Sequence, residues 1–165
     1  MAPQWLDERE ARTWQGFQRL YRRLDTELAR QLADESQMLL ADYEVLVVLT
    51  AHPDGLRGFE LAEQLGWDKT RLSHRIKAMV ADGLVRKRPC PADGRGYEVA
   101  ATAKGRRAIA AAAPGHVAAV RRLFIDLLSA RELDVVGDVT ARALAALDAP
   151  ERHTRPQSVV RGTNT

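Results

Sequence analysis

Residues 60–95 read ELAEQLGWDKTRLSHRIKAMVADGLVRKRPCPADGR, and the stops and apolar stripes in this stretch decide the fold. Glu60–Leu65 has a short apolar face of Leu61, Ala62 and Leu65. Gly66 stands where a helix C-terminal glycine belongs, and Asp68 where an N-cap belongs. From Lys69 the residues Leu72, Ile76, Met79 and Val80 form one apolar stripe of a helix running to about Asp82. At ~100° per residue, the opposite face carries Thr70, His74 and Lys77, flanked by Arg71 and Ser73. That face is cationic and rich in hydrogen-bond donors, as a helix entering a DNA major groove must be. Past Asp82-Gly83, Leu84–Arg88 reads as a strand, residues 91–96 as a turn, and Tyr97–Ala100 as a second strand. A helix-turn-helix followed by a β-hairpin is a winged helix.

Charge points the same way. Residues 69–107 hold eleven Lys/Arg against three Asp/Glu, a local balance of +8, whereas the whole chain is only +3. The remainder is therefore −5. A basic segment on an otherwise acidic body is the footprint of a protein that docks a polyanion through one surface, here double-stranded DNA because the charge coincides with the helix and hairpin that would touch it.

The 165 residues suit one domain, or one domain with a dimerisation extension. Ala and Leu dominate and aromatics are 5%, which favours helices over a β-sandwich. Continuous apolar runs such as Val45–Leu49 are too short to cross a bilayer, and the N-terminus lacks the pattern of a signal peptide. The single Cys90 cannot form an internal disulfide. These features imply a soluble, cytoplasmic protein.

Working outward, residues 1–7 read as an arm and Glu8 to about Ala33 as one long helix. Trp14, Phe17, Leu20, Tyr21, Leu24, Leu28 and Leu32 recur along it every three to four residues. A helix of this length exceeds what a small core needs, so it should cross to another subunit. Residues 42–49 have the composition of a buried strand. Asp42 as N-cap and the stop at His52-Pro53-Asp54-Gly55 argue for a short buried helix, and helix is the choice because a lone strand would have no partner nearby. Leu56-Arg57 can add a very short strand to the wing. Thr102 can cap a helix continuing to Leu128, which Pro114-Gly115 should kink or break. Ser129–Glu132 is a capping box opening a last helix, with Leu133, Val136, Val139, Leu144 and Leu147 on its apolar side. Residues 151–165 read as a polar tail. The expected architecture is mainly α. Residues 41–102 form the winged helix-turn-helix lobe, and residues 1–40 with 103–150 a helical dimerisation region.

The order of elements and several motifs resemble the MarR (multiple antibiotic resistance regulator) family of bacterial transcription factors, over residues ~10–147. The motifs are Leu61-Ala62, Ser73-His74-Arg75, Gly83-Leu84-Val85, Asp93-Gly94-Arg95-Gly96 and Thr102-Ala103-Lys104-Gly105. Trp5-Leu6, Trp14 and Pro114-Gly115-His116 resemble its actinobacterial variant. The resemblance implies a homodimer whose second motif helix reads the major groove while a wing arginine, here Arg95, reaches the minor groove, oriented by Asp93. Thr70, Arg71, Ser73 and His74 would face bases. It also implies a small aromatic or phenolic effector bound between the dimer helices and the DNA-binding lobes. Three departures stand out. Ala101-Thr102 replaces the usual Leu-Thr, His74 stands where arginine is common, and the N-terminal cysteine of peroxide-sensing members is absent.

The candidate base readers are therefore Thr70, Arg71, Ser73, His74 and Lys77, with Asp93 and Arg95 in the wing. Lys69, Arg75, Arg86 and Arg88 suit phosphate contact, which positions without specifying. Trp14, Phe17, Tyr21, Tyr43 and Trp67 could line an effector pocket or simply be core. Cys90, beside Arg88, is either a small inert residue or a thiol open to oxidation. His52, His74, His116 and His153 show no metal-ligand spacing, so no metal or cofactor is expected. No paired carboxylates, Gly-rich phosphate loop or nucleophile–base pair suggests an enzyme. A winged helix used only for protein contact is the alternative, but it would not need a basic wing.

Overall fold

The computed structural model describes residues 5–89 and 96–149. Cys90, Asp93, Arg95 and the tail from 150 onward lie outside the described residues. The element order is α1 (Glu8–Ser36), α2 (Leu40–Thr50), β1 (Leu56–Arg57), α3 (Gly58–Leu65), α4 (Lys69–Ala81), β2 (Val85–Pro89), β3 (Tyr97–Ala101), α5 (Ala103–Leu123), a 3-10 turn (Ile125–Leu127) and α6 (Ala130–Asp148). This is a mainly helical winged helix-turn-helix. The chain divides into two compact units, residues 1–124 and 125–165. The first includes α5, because α5 packs along α1 and against α2.

Residues 42–49 are helical, and α2 is the centre of the lobe. Val45, Leu46 and Leu49 are at most 1% exposed. α3 adds Leu61 and Ala62, and α4 adds Leu72, Ile76 and Met79. Val80, read as part of the α4 stripe, is exposed, so the buried stripe is narrower than the spacing implied. Leu39, not Asp42, is the N-cap of α2; Asp42 lies one turn inside, buried.

The sheet has the order β1-β3-β2, all antiparallel. β1 pairs Leu56 with Val99, and β2 pairs Val85 with Ala101 through Pro89 with Tyr97. Thr102 ties the sheet to α5. Its hydroxyl donates to the Gly83 carbonyl at 2.7 Å and accepts from the Gly105 amide at 3.0 Å. Gly105 allows this junction: a Cβ there would sit 2.1 Å from the Leu84 carbonyl oxygen. The wing root thus rests on backbone contact, beside a buried Ala101 where the resemblance led us to expect leucine.

α5 runs unbroken through Pro114. An internal proline costs ~3 kcal/mol. Ile109, Ala112 and Ala119, buried on either side of it, offset that cost. The helix ends instead at Phe124, whose φ of −143° and ψ of −60° leave the helical region. An 18-residue window within Ala103–Leu127 has a mean hydropathy of 1.2, enough for a membrane span by length and composition. Its alanine-rich face packs on α1 and α2, and Arg106, Arg107, Arg121 and Arg122 flank it.

In the second unit, Ser129 and Glu132 form the expected box. The Ser129 amide donates to Glu132 Oε2 at 2.8 Å, and the Ser129 hydroxyl does so at 2.6 Å. No residue of α6 is buried.

Candidate nucleic-acid interface

The turn between α3 and α4 positions the site. Gly66 takes φ +63°, a left-handed conformation that glycine adopts without cost, and closes α3. Asp68 then accepts from the Thr70 and Arg71 amides, both at 2.8 Å. These amide bonds hold its carboxyl below the usual carboxylate range. With Leu72, Ile76 and Met79 turned into the core, Lys69, Thr70, Arg71, Ser73, His74 and Lys77 are all exposed. Every base reader proposed on α4 therefore shares the solvent face.

Arg71 lies 4.0 Å over the ring of Trp67, a cation–π contact one helical turn apart. Trp67 is thus a platform for Arg71. The two, with Ala41, His74 and Arg75, line a shallow hollow of about 260 Å³ between α2 and α4. Their i, i+4 spacing was the available signal for this contact.

Arg75 does not join the outward face. Its Nε lies 2.6 Å from Asp42 Oδ1 and its Nη2 donates to Asp42 Oδ2 at 3.2 Å. Burial pushes the Asp42 carboxyl upward, Arg75 opposes that, and Asp82 adds to it. Arg75 thus pins α4 to α2, a role that the phosphate contact expected of it did not anticipate. In the wing, Arg88 and Lys87 are exposed, and Lys87 Nζ stands 3.8 Å over the Tyr97 ring. Arg86 is half-buried, with its Nε out of solvent.

On the other side of α2, a cavity of about 470 Å³ opens between α1, α2, α3 and α5. Tyr21 and Tyr43 line it, as proposed; Trp14 and Phe17 do not. They lie seven and four residues before Tyr21, roughly 10 and 6 Å along the helix, and are exposed and stacked on each other at 5.9 Å. Sequence reasoning missed Asp25, Glu44, Gln64 and His116, which also line it. The His116 ring is 4.2 Å from that of Tyr43, and burial lowers its pKa. Among the described residues no group of three or more His, Cys, Asp or Glu could hold a metal ion.

The family model described as MarR family matches residues 36–96, which span α2 to the wing. AbsC, a MarR family transcriptional regulator from Streptomyces coelicolor, is 34% identical, with a TM-score of 0.83 over 88% of this chain and 98% of that one. The chain belongs to the MarR family of transcriptional regulators. Sco3205, a second such regulator from the same organism, was solved in complex with DNA. It is 31% identical with a TM-score of 0.85, covering 92% of this chain and 96% of that one. A mutant MarR from E. coli complexed with operator DNA shares the fold at 21% identity and a TM-score of 0.68, over 79% and 91% of the two chains. A search of curated proteins gave no match. The members it resembles are transcriptional regulators, and its winged helix-turn-helix is the family's fold.

Proposed function

We propose that this MarR-family protein acts in the cytoplasm as a homodimeric repressor that binds a pseudo-palindromic operator. The observation that carries this is the shared exposed face of α4, with Thr70, Arg71, Ser73, His74 and Lys77 all presented outward. In this reading two copies of α4 enter successive major grooves about 34–36 Å apart. Lys69 and Arg88 meet phosphates, and Arg95, oriented by Asp93, reaches the flanking minor groove. Exposed apolar residues support the dimer: Trp14, Phe17 and Leu20 on α1, and Leu133, Val139 and Leu144 on α6. The cavity beside Tyr21 and Tyr43 receives a small aromatic effector that alters the spacing of the two reading helices.

An operator panel titrated at two salt concentrations tests the reading. Arg95→Ala should lower the salt slope by about 1 per subunit, with the largest loss on A·T-rich flanks. Thr70→Ala or His74→Ala should relax preference at a few positions, at ~1–3 kcal/mol per good base contact. Wild-type binding without sequence preference or salt dependence would leave the protein-contact alternative in its place.

A further inference from the structure

The charges on the effector cavity define the kind of molecule it admits. Apolar side chains, including Leu24, Leu28, Val47 and Val48, make most of its wall. Two formally charged side chains line it, Asp25 from α1 and Glu44 from α2, and both are acids. Among the described residues lining it there is no lysine or arginine. His116 is the one lining group that could supply a positive charge, and burial disfavours its protonation. Arg71 acts on Glu44 as a positive charge, but it lies outside the cavity wall, against Trp67.

An aromatic carboxylate entering here would meet two like charges and no cation, and like charges in a partly desolvated site repel. An organic cation meets the opposite conditions. Its charge can pair with Glu44 or Asp25, and its body can lie on the apolar wall. The rings of Tyr21 and Tyr43 offer negative π-faces. Burial raises the Glu44 carboxyl, Arg71 lowers it from outside the cavity, and Asp25 raises it again, so a bound cation would add to the partial compensation that Arg71 supplies.

We propose that the effector cavity takes a monovalent organic cation, a protonated amine or quaternary ammonium on an aromatic body, with Glu44 as its charge partner. This rests on reading the cavity as an effector site, and it narrows the aromatic or phenolic class implied by the family resemblance.

The test uses phenyltrimethylammonium and benzoate as probes of similar size and opposite charge, titrated calorimetrically into the full-length protein. The cation should bind, benzoate should bind at least tenfold more weakly, and Glu44→Gln should weaken the cation roughly tenfold, the scale of one charged contact. Asp25→Asn, at an exposed position, is the second variant and should weaken the cation without disturbing the fold. Benzoate binding as tightly as the cation, binding of neither probe at millimolar concentration, or indifference of the cation to both variants would overturn the proposal. Operator release is read separately in the same samples. A cation that binds through Glu44 without loosening DNA upholds the ligand class and removes the effector role. Benzoate that binds and releases DNA does the reverse.

Discussion

In α4 the apolar stripe Leu72, Ile76 and Met79 is at most 1% exposed; in α6 the corresponding residues Leu133, Val139, Leu144 and Leu147 are 42–80% exposed. Both helices follow the same period, and both begin with a hydrogen-bonded cap, Asp68 and Ser129. Amphipathic spacing thus records that a face is to be covered, not what covers it. The face of α4 is covered by α2, α3 and β2 of its own chain. We propose that the face of α6, with the exposed aromatics of α1, is covered by a second copy. The contrast assigns different consequences to substitutions that look alike in sequence.

The largest effect belongs to the closed lobe. Leu72→Ala should destabilise the fold by about 2–5 kcal/mol, as expected for a fully buried leucine. Urea denaturation should show it at any protein concentration. A loss below ~1 kcal/mol would mean that the lobe repacks freely, contrary to its burial.

Asp42→Ala comes next, at about 3 kcal/mol, because it strands the Arg75 guanidinium against the core. Asp42→Asn keeps an acceptor for Arg75 and should cost less. Since the pair joins α2 to the reading helix, the alanine variant should also weaken operator binding at temperatures where it remains folded. Equal stability of wild type and Asp42→Ala would reduce the pair to a surface ornament and return Arg75 to the phosphate role first expected of it.

The open faces answer to a different measurement. Val139→Glu with Leu144→Glu should raise the dimer dissociation constant at least tenfold, about 1.4 kcal/mol or more. Helical content should persist, since neither residue is buried within its own chain. Sedimentation over a range of concentrations checks this. An unchanged association constant would break the proposed assignment of α6 to an interface.

The features legible in the sequence were those set by local chemistry. Gly66, Asp68, Thr102 and Ser129 each satisfy helix-end groups within a few residues, so composition and spacing located them. The short helix at 40–50 could also be reached, because a strand there would have lacked a neighbour. What stayed hidden depends on residues far apart in the chain. Asp42 looked like a cap because its partner Arg75 lies 33 positions away. Pro114 looked like a break because nothing local shows that α1 supports α5 along its length. The cavity was assigned to aromatic residues alone; Tyr21 and Tyr43 line it, while Trp14 and Phe17 lie elsewhere on α1. Glu44 and His116 reach it from two helices with no shared sequence signal.

The smallest effect concerns His116, where the lobe's packing meets the cavity. Its ring lies against Tyr43, and burial lowers its pKa from the ordinary 6.5. On unfolding the ring returns to water and regains the ordinary value. Between the native value and about 6.5 the unfolded chain therefore binds more protons than the folded one, and stability rises with pH across that window. Conversely, stability is lost as pH falls from about 6.5 through the native value. His116→Gln removes the titration and should flatten this part of the profile, leaving the carboxylate-driven loss at lower pH in place. Thermal melts at closely spaced pH values, wild type against variant, measure the difference directly. Superimposable slopes would mean that the imidazole is as well hydrated in the folded protein as in the unfolded chain. The cavity wall would then be looser than the closed lobe of which it forms one side.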